Sequence, residues 1–308
     1  MSTTKAVKKK KKKSQAPIAL VYFVTMIIFL LIIGALALFM LKQFNIIGGD
    51  DSNTDGGVKS PTYNTLFARV NSKGVLADAA VIRVAPDAKK IVVIPVSAFT
   101  VSGDGGKTLR EIHESGGMLK LESAVSETFG ISIDNYVSIT NDAFENAVDI
   151  VGGITYTFDE DLYYLSQDND ENDIVIPQGE LSTLSGHQIR LICQYPVFKE
   201  GRGGNTKFLG SALVQIINNA FQQANITKDN LDNFYSIFTE NSDTNWTKDD
   251  FKELKIYLKS MLDQNLTPAE ALAPEGEWTD DSHFKISDEY VESIKTMLAD
   301  TAPSAAED

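Results

Sequence analysis

Residues 16–41 contain no charged side chain, and a run of lysines from Lys8 to Lys13 lies just before them. A helix needs about 20 apolar residues to cross the hydrocarbon core of a bilayer, and lysines on one flank mark its cytoplasmic side. We therefore expect residues 1–15 to form a cytoplasmic polybasic tail and residues 16–41 a single transmembrane helix, retained as a signal anchor. This arrangement predicts a single-pass protein of the cell membrane with an extracellular C-terminal domain.

A cleavable signal peptide is the competing interpretation of the same segment, because Ala35, Leu36 and Ala37 resemble a small-residue cleavage site. The uncharged run is, however, much longer than the roughly 7–15 apolar residues of a secretory signal. A retained anchor is therefore the prediction. The lysines have a second possible role in attracting anionic lipid, but topology alone accounts for them.

The part of the chain beyond the lysines is acidic. The 308 residues together carry a formal net charge of -14, so the segment without the basic tail is more acidic still. Duplex affinity comes largely from lysine and arginine meeting phosphates, which argues against a nucleic-acid partner. Cys193 is the only cysteine, so an exported domain has no internal disulfide and depends on its apolar core.

Composition also divides the exported part. Residues 42–62 are rich in Gly, Asp, Ser and Asn and are predicted to form a flexible linker. Residues 63–300 are numerous enough for one large domain with a sizeable core, and residues 301–308 are expected to be a disordered tail.

Short β-branched runs and helical patterns alternate along the predicted domain. Residues 81–84 and 91–95 flank the turn signal Pro86-Asp87, which predicts a hairpin of buried strands. A fold of the α/β class follows from this alternation, with a central mixed β-sheet flanked by helices. Helical spacing of apolar residues predicts helices near residues 118–129, 142–151, 209–224, 247–262 and 287–298.

Three local patterns fail as functional motifs. Residues 106–108 resemble the end of a phosphate-binding loop, but Val101 replaces the first glycine that this motif requires. The acidic residues 168–173 lack the glycine and the glutamate that a calcium loop needs at its sixth and twelfth positions. The three histidines show no metal-ligand spacing, and no G-x-S-x-G sequence is present to indicate a serine nucleophile.

Longer segments carry more information. Residues 130–137 are predicted to form a helix end followed by a strand. Residues 143–154 are predicted to form a helix that ends on Val-Asp, followed by a Gly-Gly turn into the next strand. This order of elements and residues resembles the central signature of the LytR-CpsA-Psr family. The similarity extends over about residues 65–298. Further matching segments are residues 91–98, 176–179, 184–188 and 201–202.

Members of that family are phosphotransferases of the Gram-positive-type cell envelope. The resemblance implies transfer of a glycopolymer from a polyprenyl-pyrophosphate carrier to peptidoglycan, with Mg²⁺ as cofactor and an arginine-rich pocket around the pyrophosphate. Guanidinium groups suit this pocket because they meet phosphate oxygens through paired, charge-assisted hydrogen bonds. On this resemblance Arg202 binds phosphate and Asp78 holds the metal, while Arg69 and Lys73 lie near enough in sequence to supply replacement charge.

The chain departs from the family at most pocket positions. Asn71 stands at one expected acidic position. Where the family has arginines, this chain has Val96, Gln194, Pro196 and Asn205. Loss of one charge-assisted hydrogen bond costs about 1.5–3 kcal/mol of binding free energy, so several losses together predict weak binding of pyrophosphate.

We therefore predict a membrane-anchored extracellular protein of cell-envelope assembly that is noncatalytic or attenuated. Its predicted partners are a polyprenyl-phosphate lipid, an envelope glycopolymer or another protein. The alternative is an active phosphotransferase with an altered pocket, and a regulatory role stays open only without direct DNA binding, because the predicted cytoplasmic tail is too short. Two of the candidate site residues also have a purely structural interpretation. Asp78 would cap a turn, and Arg202 would be a solvated side chain in a glycine-rich stretch.

Overall fold

The computed structural model describes residues 60–103, 106–167, 169–240 and 242–300, which belong to one compact unit. The predicted cytoplasmic tail and transmembrane helix, nearly all of the predicted linker and the C-terminal tail lie outside the described residues. Within the described ranges, no helix combines the length and the apolar character needed to cross a bilayer.

The described residues form thirteen strands, seven α-helices and one short 3-10 turn at Asp170–Asn172. The strands are β1 (Tyr63–Val70), β2 (Leu76–Ala85), β3 (Lys90–Val96), β4 (Val101–Ser102), β5 (Lys107–Thr108), β6 (Asn135–Thr140), β7 (Ile154–Thr157), β8 (Leu162–Tyr164), β9 (Ile174–Ile176), β10 (Leu181–Leu184), β11 (Ala269–Ala271), β12 (Gly276–Asp280) and β13 (His283–Ile286). The helices are α1 (Leu109–Phe129), α2 (Asn141–Ile150), α3 (Gly186–Ile192), α4 (Arg202–Gln222), α5 (Ala224–Thr239), α6 (Lys248–Leu262) and α7 (Asp288–Asp300).

A five-stranded sheet with the strand order β11-β3-β2-β1-β6 lies at the centre. Its three middle strands are antiparallel, whereas β6 is parallel to β1 and β11 is parallel to β3. The predicted hairpin is confirmed, because β2 and β3 pair with Val81 opposite Ile94. The sheet is therefore mixed, as the sequence predicted.

Helices cover both faces of this sheet. On one face, Leu66 and Ile94 pack with Leu121 of α1 and Tyr290 of α7. On the other face, α2 to α6 pack against the sheet, with Val137 as one of the buried contacts. Helices, sheet and helices thus form three layers, which confirms the predicted α/β architecture.

Helix α1 is longer than the sequence predicted. It begins at Leu109, because the Thr108 side chain accepts from the backbone of Glu111 and the Glu111 side chain bonds back to Thr108, in a capping box. Gly117, at a φ of 64°, breaks the helical backbone and hides the continuity of the pattern. The helix ends as predicted at Gly130, which adopts a left-handed φ of 64°.

The turn after α2 requires its two glycines. Gly152 and Gly153 have φ values of 79° and 73°, which other residues adopt only with strain. A Cβ atom on Gly153 would lie 2.2 Å from the carbonyl oxygen of Leu184 on the neighbouring strand β10. This geometry confirms the predicted helix–turn–strand junction.

Two helices were not predicted, and one starts earlier than expected. No helix was predicted for α3 or α5, and α4 begins at Arg202 rather than at Leu209. Glycine lowers helix propensity by about 1 kcal/mol relative to alanine, which masks the first turn of α4. The glycines there permit close packing instead, since a Cβ on Gly204 would meet the Phe198 ring at 2.7 Å.

Candidate functional site

A cavity of about 310 Å³ lies between the sheet and the helices α2, α4, α5 and α6. Alternate residues of β1, namely Thr65, Phe67 and Arg69, line it, because successive strand side chains point to opposite faces of a sheet. The opposite wall includes Ile216 of α4 and Phe238 of α5. The cavity is therefore a space between two layers of the fold, the sheet and the helices that cover it.

The cavity is apolar along nearly all of its wall. Of the described residues that line it, only Arg69 and Asp78 carry a charge. A cavity with such walls stays dry and binds apolar ligands rather than water. The chemistry of the site therefore divides into an apolar interior and one charged end.

At the charged end, Arg69 and Asp78 bind each other. They face one another in the register of β1 and β2, and the two nitrogens Nε and Nη2 of Arg69 donate to the two carboxylate oxygens of Asp78. The third guanidinium nitrogen, Nη1, donates to Oδ1 of Asn141 at 2.7 Å. The side chains of Arg69 and Asp78 are only 2% and 14% exposed.

Electrostatics holds Arg69 in its charged form. Burial is the largest single effect and lowers the pKa of Arg69, but the attraction of Asp78 and the smaller contributions of other neighbours together outweigh it, so this pKa lies above its ordinary value. All three nitrogens of the guanidinium group have protein partners. The phosphate-binding role predicted for Arg69 would therefore require these bonds to break.

The residues around Asp78 do not fit the magnesium site that the family resemblance implies. Mg²⁺ is held by carboxylate oxygens in an octahedral shell, and both oxygens of Asp78 already accept from Arg69. In the ranges that the structure describes, no three His, Cys, Asp or Glu residues are grouped so that they could hold a metal ion. Binding of Mg²⁺ at Asp78 stays a prediction that this pairing does not support.

Two further arginines share one aromatic ring, that of Phe99, which is not among the described residues that line the cavity. The guanidinium carbon of Arg202, the first residue of α4, lies 4.2 Å from the ring centre of Phe99. Arg110 of α1 places its guanidinium carbon 4.3 Å from the same ring centre and donates from Nε to the carbonyl oxygen of Leu76 at 2.9 Å. Burial and the charge of Arg202 lower the pKa of Arg110, whereas Glu114 and Asp78 act in the opposite direction.

Arg110 was missed by sequence reasoning. It belongs to no motif and lies far from Arg202 in the chain, so only the folded structure brings the two onto one ring. In the sequence it only follows Leu109 at the start of a capped helix, and this position does not indicate a binding role. The structure thus adds an arginine that the sequence did not single out.

Lys73 is not brought into this group. It lies exposed in the turn between β1 and β2, where its backbone N–H donates to the side chain of Asn71 at 2.9 Å. Asn71 also accepts from the backbone of Val75 at 3.1 Å. The residue at the expected acidic position therefore stabilises a turn, and the Lys73 amino group has no carboxylate partner among the described residues.

The positions that departed from the family pattern also have structural surroundings. Asn205 donates to the carbonyl oxygens of Ile192 and Tyr195 at 3.3 and 2.8 Å and so joins α4 to the end of α3. Val96 is buried in β3, at 1% exposure. These side chains stabilise the fold and contribute no positive charge.

Cys193 lies in the core near the charged pair. Its side chain is buried, and burial, followed by the charge of Asp78, raises the pKa of the thiol far above its ordinary value. A thiol that stays protonated is a poor nucleophile and a poor metal ligand. Cys193 is therefore a packing residue.

The LytR_cpsA_psr family matches residues 69–300, which is well over half of the chain. This chain belongs to the LytR_cpsA_psr family. The resemblance found in its signature segments is confirmed, and the match includes all the predicted site residues.

Solved structures share the fold. A proposed transcription regulator from Eubacterium siraeum superposes with a TM-score of 0.70 at 19% identity, over 82% of this chain and 99% of that one. TagV of B. subtilis gives a TM-score of 0.62 at 19% identity, over 79% and 98%. TagT bound to LIIa-WTA gives 0.60 at 16% identity, over 82% and 94%. No curated protein sequence matches the chain.

Proposed function

We propose that this member of the LytR_cpsA_psr family is a membrane-anchored extracellular protein of bacterial cell-envelope assembly that holds a polyprenyl-linked precursor by its lipid tail. The observation that carries the proposal is the apolar cavity between the sheet and α2, α4, α5 and α6. A relative with the same fold, TagT, has been solved with LIIa-WTA bound, which supports an envelope polymer or its precursor as the class of ligand.

The cavity has room for part of a lipid tail. An apolar cavity of about 150 Å³ takes one benzene molecule, so a cavity of about 310 Å³ suits a segment of roughly ten carbons, or about two isoprene units. At about 0.8 kcal/mol for each buried CH₂ group, such a segment contributes up to about 8 kcal/mol before the costs of association. Association itself costs about 4 kcal/mol or more, so the buried segment supplies at most about 4 kcal/mol of net affinity.

On this proposal the protein has little or no phosphotransfer activity. Phosphotransfer requires groups that stabilise the charge developing in the transition state. Arg69 and Asp78 do not supply such groups, because they are bonded to each other. The family arginine positions at Val96 and Asn205 carry no charge and serve packing and hydrogen bonding. We infer that binding, rather than turnover, is the principal activity.

The anchor completes the proposal. Residues 16–41 would hold the domain at the outer surface of the membrane, where polyprenyl lipids present their headgroups. Protease added to wall-free cells should remove the domain beyond Ser60 and spare the N-terminal tail. A mature N-terminus near Leu38 would instead reveal a cleaved signal peptide and contradict the anchor.

The cavity is tested with two matched tryptophan substitutions in the full-length protein in detergent. Ile216→Trp fills the cavity, whereas Ile256→Trp adds the same bulk at a site that is 68% exposed on α6. We expect binding of radiolabelled polyprenyl phosphate to weaken at least about tenfold in the first variant and to change less than about twofold in the second. Equal binding by both variants, with unfolding temperatures that show both to be folded, would contradict the cavity as the lipid site.

An active phosphotransferase is the second candidate, and the observation that favours it is the pair of guanidinium groups that share the Phe99 ring. It predicts release of phosphate from polyprenyl pyrophosphate in the presence of Mg²⁺. We expect little or no turnover by the unmodified protein. Robust turnover that is lost in Arg202→Ala, or in Asp78→Asn at a temperature where that variant is still folded, would establish the transferase instead.

A further inference from the structure

We propose that helix α6 is the surface by which the folded domain rests on an anionic lipid bilayer. The contact side of the helix consists of Lys248, Lys252, Ile256 and Lys259, and we refer to it as the α6 lysine face. The inference goes beyond the lipid cavity, because it concerns the surface of the bilayer rather than one bound lipid. It rests on the proposed function in one respect, the membrane anchor.

Helix α6 lies across one end of the central sheet. Strands β1 and β3 run in the same direction, since both are antiparallel to β2, which lies between them. The Tyr257 ring of α6 has its centre 6.3 Å from that of Tyr63, the first residue of β1. One turn further along α6, Leu262 packs in one cluster with Ile91 at the start of β3. The helix thus crosses the end at which these strands begin.

The chain enters the domain at this same end. The backbone N–H of Ser60 donates to Oδ2 of Asp87 at 2.9 Å, in the turn between β2 and β3. Residues 42–59 separate Ser60 from the predicted anchor, and the linker predicted there would span roughly 23 Å on average. A bilayer that holds the anchor is therefore within reach of α6. Because such a contact is intramolecular, weak attraction is enough to populate it.

Lysines line one side of α6. Lys248, Lys252, Lys255 and Lys259 follow one another at intervals of four, three and four residues, which places their side chains along one side of a helix. Lys248 and Lys259 are exposed and form no ion pair within the described ranges. Lys252 pairs only with an exposed carboxylate of the same helix. Lys255 is held by a carboxylate of α5 and is not counted in the face.

An apolar side chain projects beside these lysines. Ile256 lies one helical turn from both Lys252 and Lys259 and is 68% exposed. Helices that combine lysines with exposed apolar side chains lie in the interface of a bilayer, where the lysines meet anionic headgroups. The opposite side of α6, which includes the buried Leu254, lines the lipid cavity. Contact through the α6 lysine face would therefore place this wall of the cavity next to the bilayer.

The charge of the rest of the domain favours this orientation. The net charge of the chain is -14, although seven of its lysines precede Ser14, so the folded domain as a whole is repelled by an anionic surface. Two acidic residues of α6 are engaged elsewhere. Asp250 takes part in the capping box with Thr247, and the charge of Glu253, after burial, raises the pKa of Tyr63. An anionic bilayer is therefore expected to attract the α6 lysine face and to repel the acidic faces.

The test measures how close α6 comes to lipid when the full-length protein is reconstituted in vesicles. The vesicles contain phosphatidylcholine alone or with phosphatidylglycerol, and a doxyl-labelled lipid quenches a fluorophore attached to an introduced cysteine. Ile256→Cys places the fluorophore in the face, and Tyr163→Cys places it at a site on β8 that is 60% exposed. The native Cys193 is buried, so the introduced thiol takes the label.

With phosphatidylglycerol present, we expect quenching at position 256 to exceed quenching at position 163 at least about threefold. Phosphatidylcholine alone, or high salt, should reduce this difference, because both weaken the attraction between lysines and the bilayer.

A matched pair of double variants tests the lysines, each made in the labelled Ile256→Cys protein. Lys252→Glu with Lys259→Glu should lower quenching at position 256 to the level of position 163, because each lysine near an anionic surface strengthens binding roughly fivefold. Lys120→Glu with Lys285→Glu changes the net charge equally at exposed lysines of α1 and β13 and should leave the quenching unchanged. Unfolding temperatures show whether both are folded. If the first does not fold, Lys252→Gln with Lys259→Gln takes its place, and a smaller decrease is expected.

The outcomes separate this inference from the proposed function. Equal quenching at the two positions, or equal effects of the two double variants, would overturn the α6 lysine face and leave the cavity standing, since lipid binding in detergent tests the cavity. If alkaline carbonate releases the protein from the vesicles, the anchor fails, and flotation with vesicles that contain phosphatidylglycerol then tests the face alone. Flotation that is lost in Lys252→Glu with Lys259→Glu would support the face, whereas no flotation, or flotation that persists in that variant, would overturn it.

Discussion

Replacing Asp78 by asparagine should destabilise the protein strongly, because Asp78 is the counter-ion of a buried arginine. Asp78→Asn leaves the guanidinium group of Arg69, only 2% exposed, with the neutral Asn141 as its remaining partner. Removing one member of a buried ion pair costs about 3–5 kcal/mol, since the other charge stays buried and uncompensated.

This cost translates into a measurable shift of the unfolding temperature. For a domain of 150–250 residues, 1 kcal/mol corresponds to about 2–4 °C, so we expect a decrease of roughly 6–20 °C by calorimetry or circular dichroism. The matched control is Asp232→Asn, which removes the partner of Lys255 at a carboxylate that is 78% exposed. An exposed pair contributes about 0–1 kcal/mol, so the control should change the unfolding temperature by only a few degrees.

A double variant separates the pair from its surroundings. Arg69→Met combined with Asp78→Leu should recover most of the stability lost in Asp78→Asn, because an apolar pair of similar volume often replaces a buried ion pair at little cost. The reasoning is refuted if Asp78→Asn costs no more than Asp232→Asn. It is also refuted if Mg²⁺ raises the unfolding temperature of the unmodified protein but not that of Asp78→Asn, since Asp78 would then be a metal ligand.

Two further predictions concern the core and its turns. Gly153→Ala should cost at least about 2 kcal/mol more than Gly74→Ala in chemical denaturation, because both positions have a left-handed φ but only at Gly153 does the new Cβ collide with a backbone oxygen, that of Leu184. Cys193 should react with a thiol reagent only after the protein opens. If opening costs about 3 kcal/mol, labelling of the native protein is roughly 150-fold slower than labelling in denaturant, and equally fast labelling would contradict the burial that raises the pKa of its thiol.

Features with a local cause could be predicted from the sequence. The hairpin of β2 and β3 was identified because two β-branched runs flank a turn signal, and the end of α2 because Gly152 and Gly153 interrupt the chain. By contrast, α5 was missed because its apolar side chains, such as Leu231, are scattered among polar residues and acquire partners only in the fold, among them Phe221 of α4 and Met261 of α6. Helix formation there depends on tertiary packing, which a local pattern does not contain.

The candidate site depends still more on tertiary structure. Arg69 and Asp78 were both identified as candidates, but with separate roles for phosphate and metal, because the register that sets them opposite each other was not known. No strand was predicted at β1, and its register with β2 shifts by one residue between Arg69 and Val70, so the pairing could not be counted from the sequence. Arg110 was not considered at all, since its importance comes from sharing the Phe99 ring with Arg202.

The apolar cavity also bears on how much of the protein a cell retains. An unfilled cavity of about 310 Å³ forfeits dispersion contacts that a filled core would make, so the protein without its ligand is less stable than its size allows. A ligand that binds only the folded state at 100 times its dissociation constant adds about 2.7 kcal/mol. When the lipid is scarce, the unfolded fraction exposed to proteases grows by roughly 100-fold relative to the saturated protein, so the abundance of this chain would follow the supply of the lipid that completes its core.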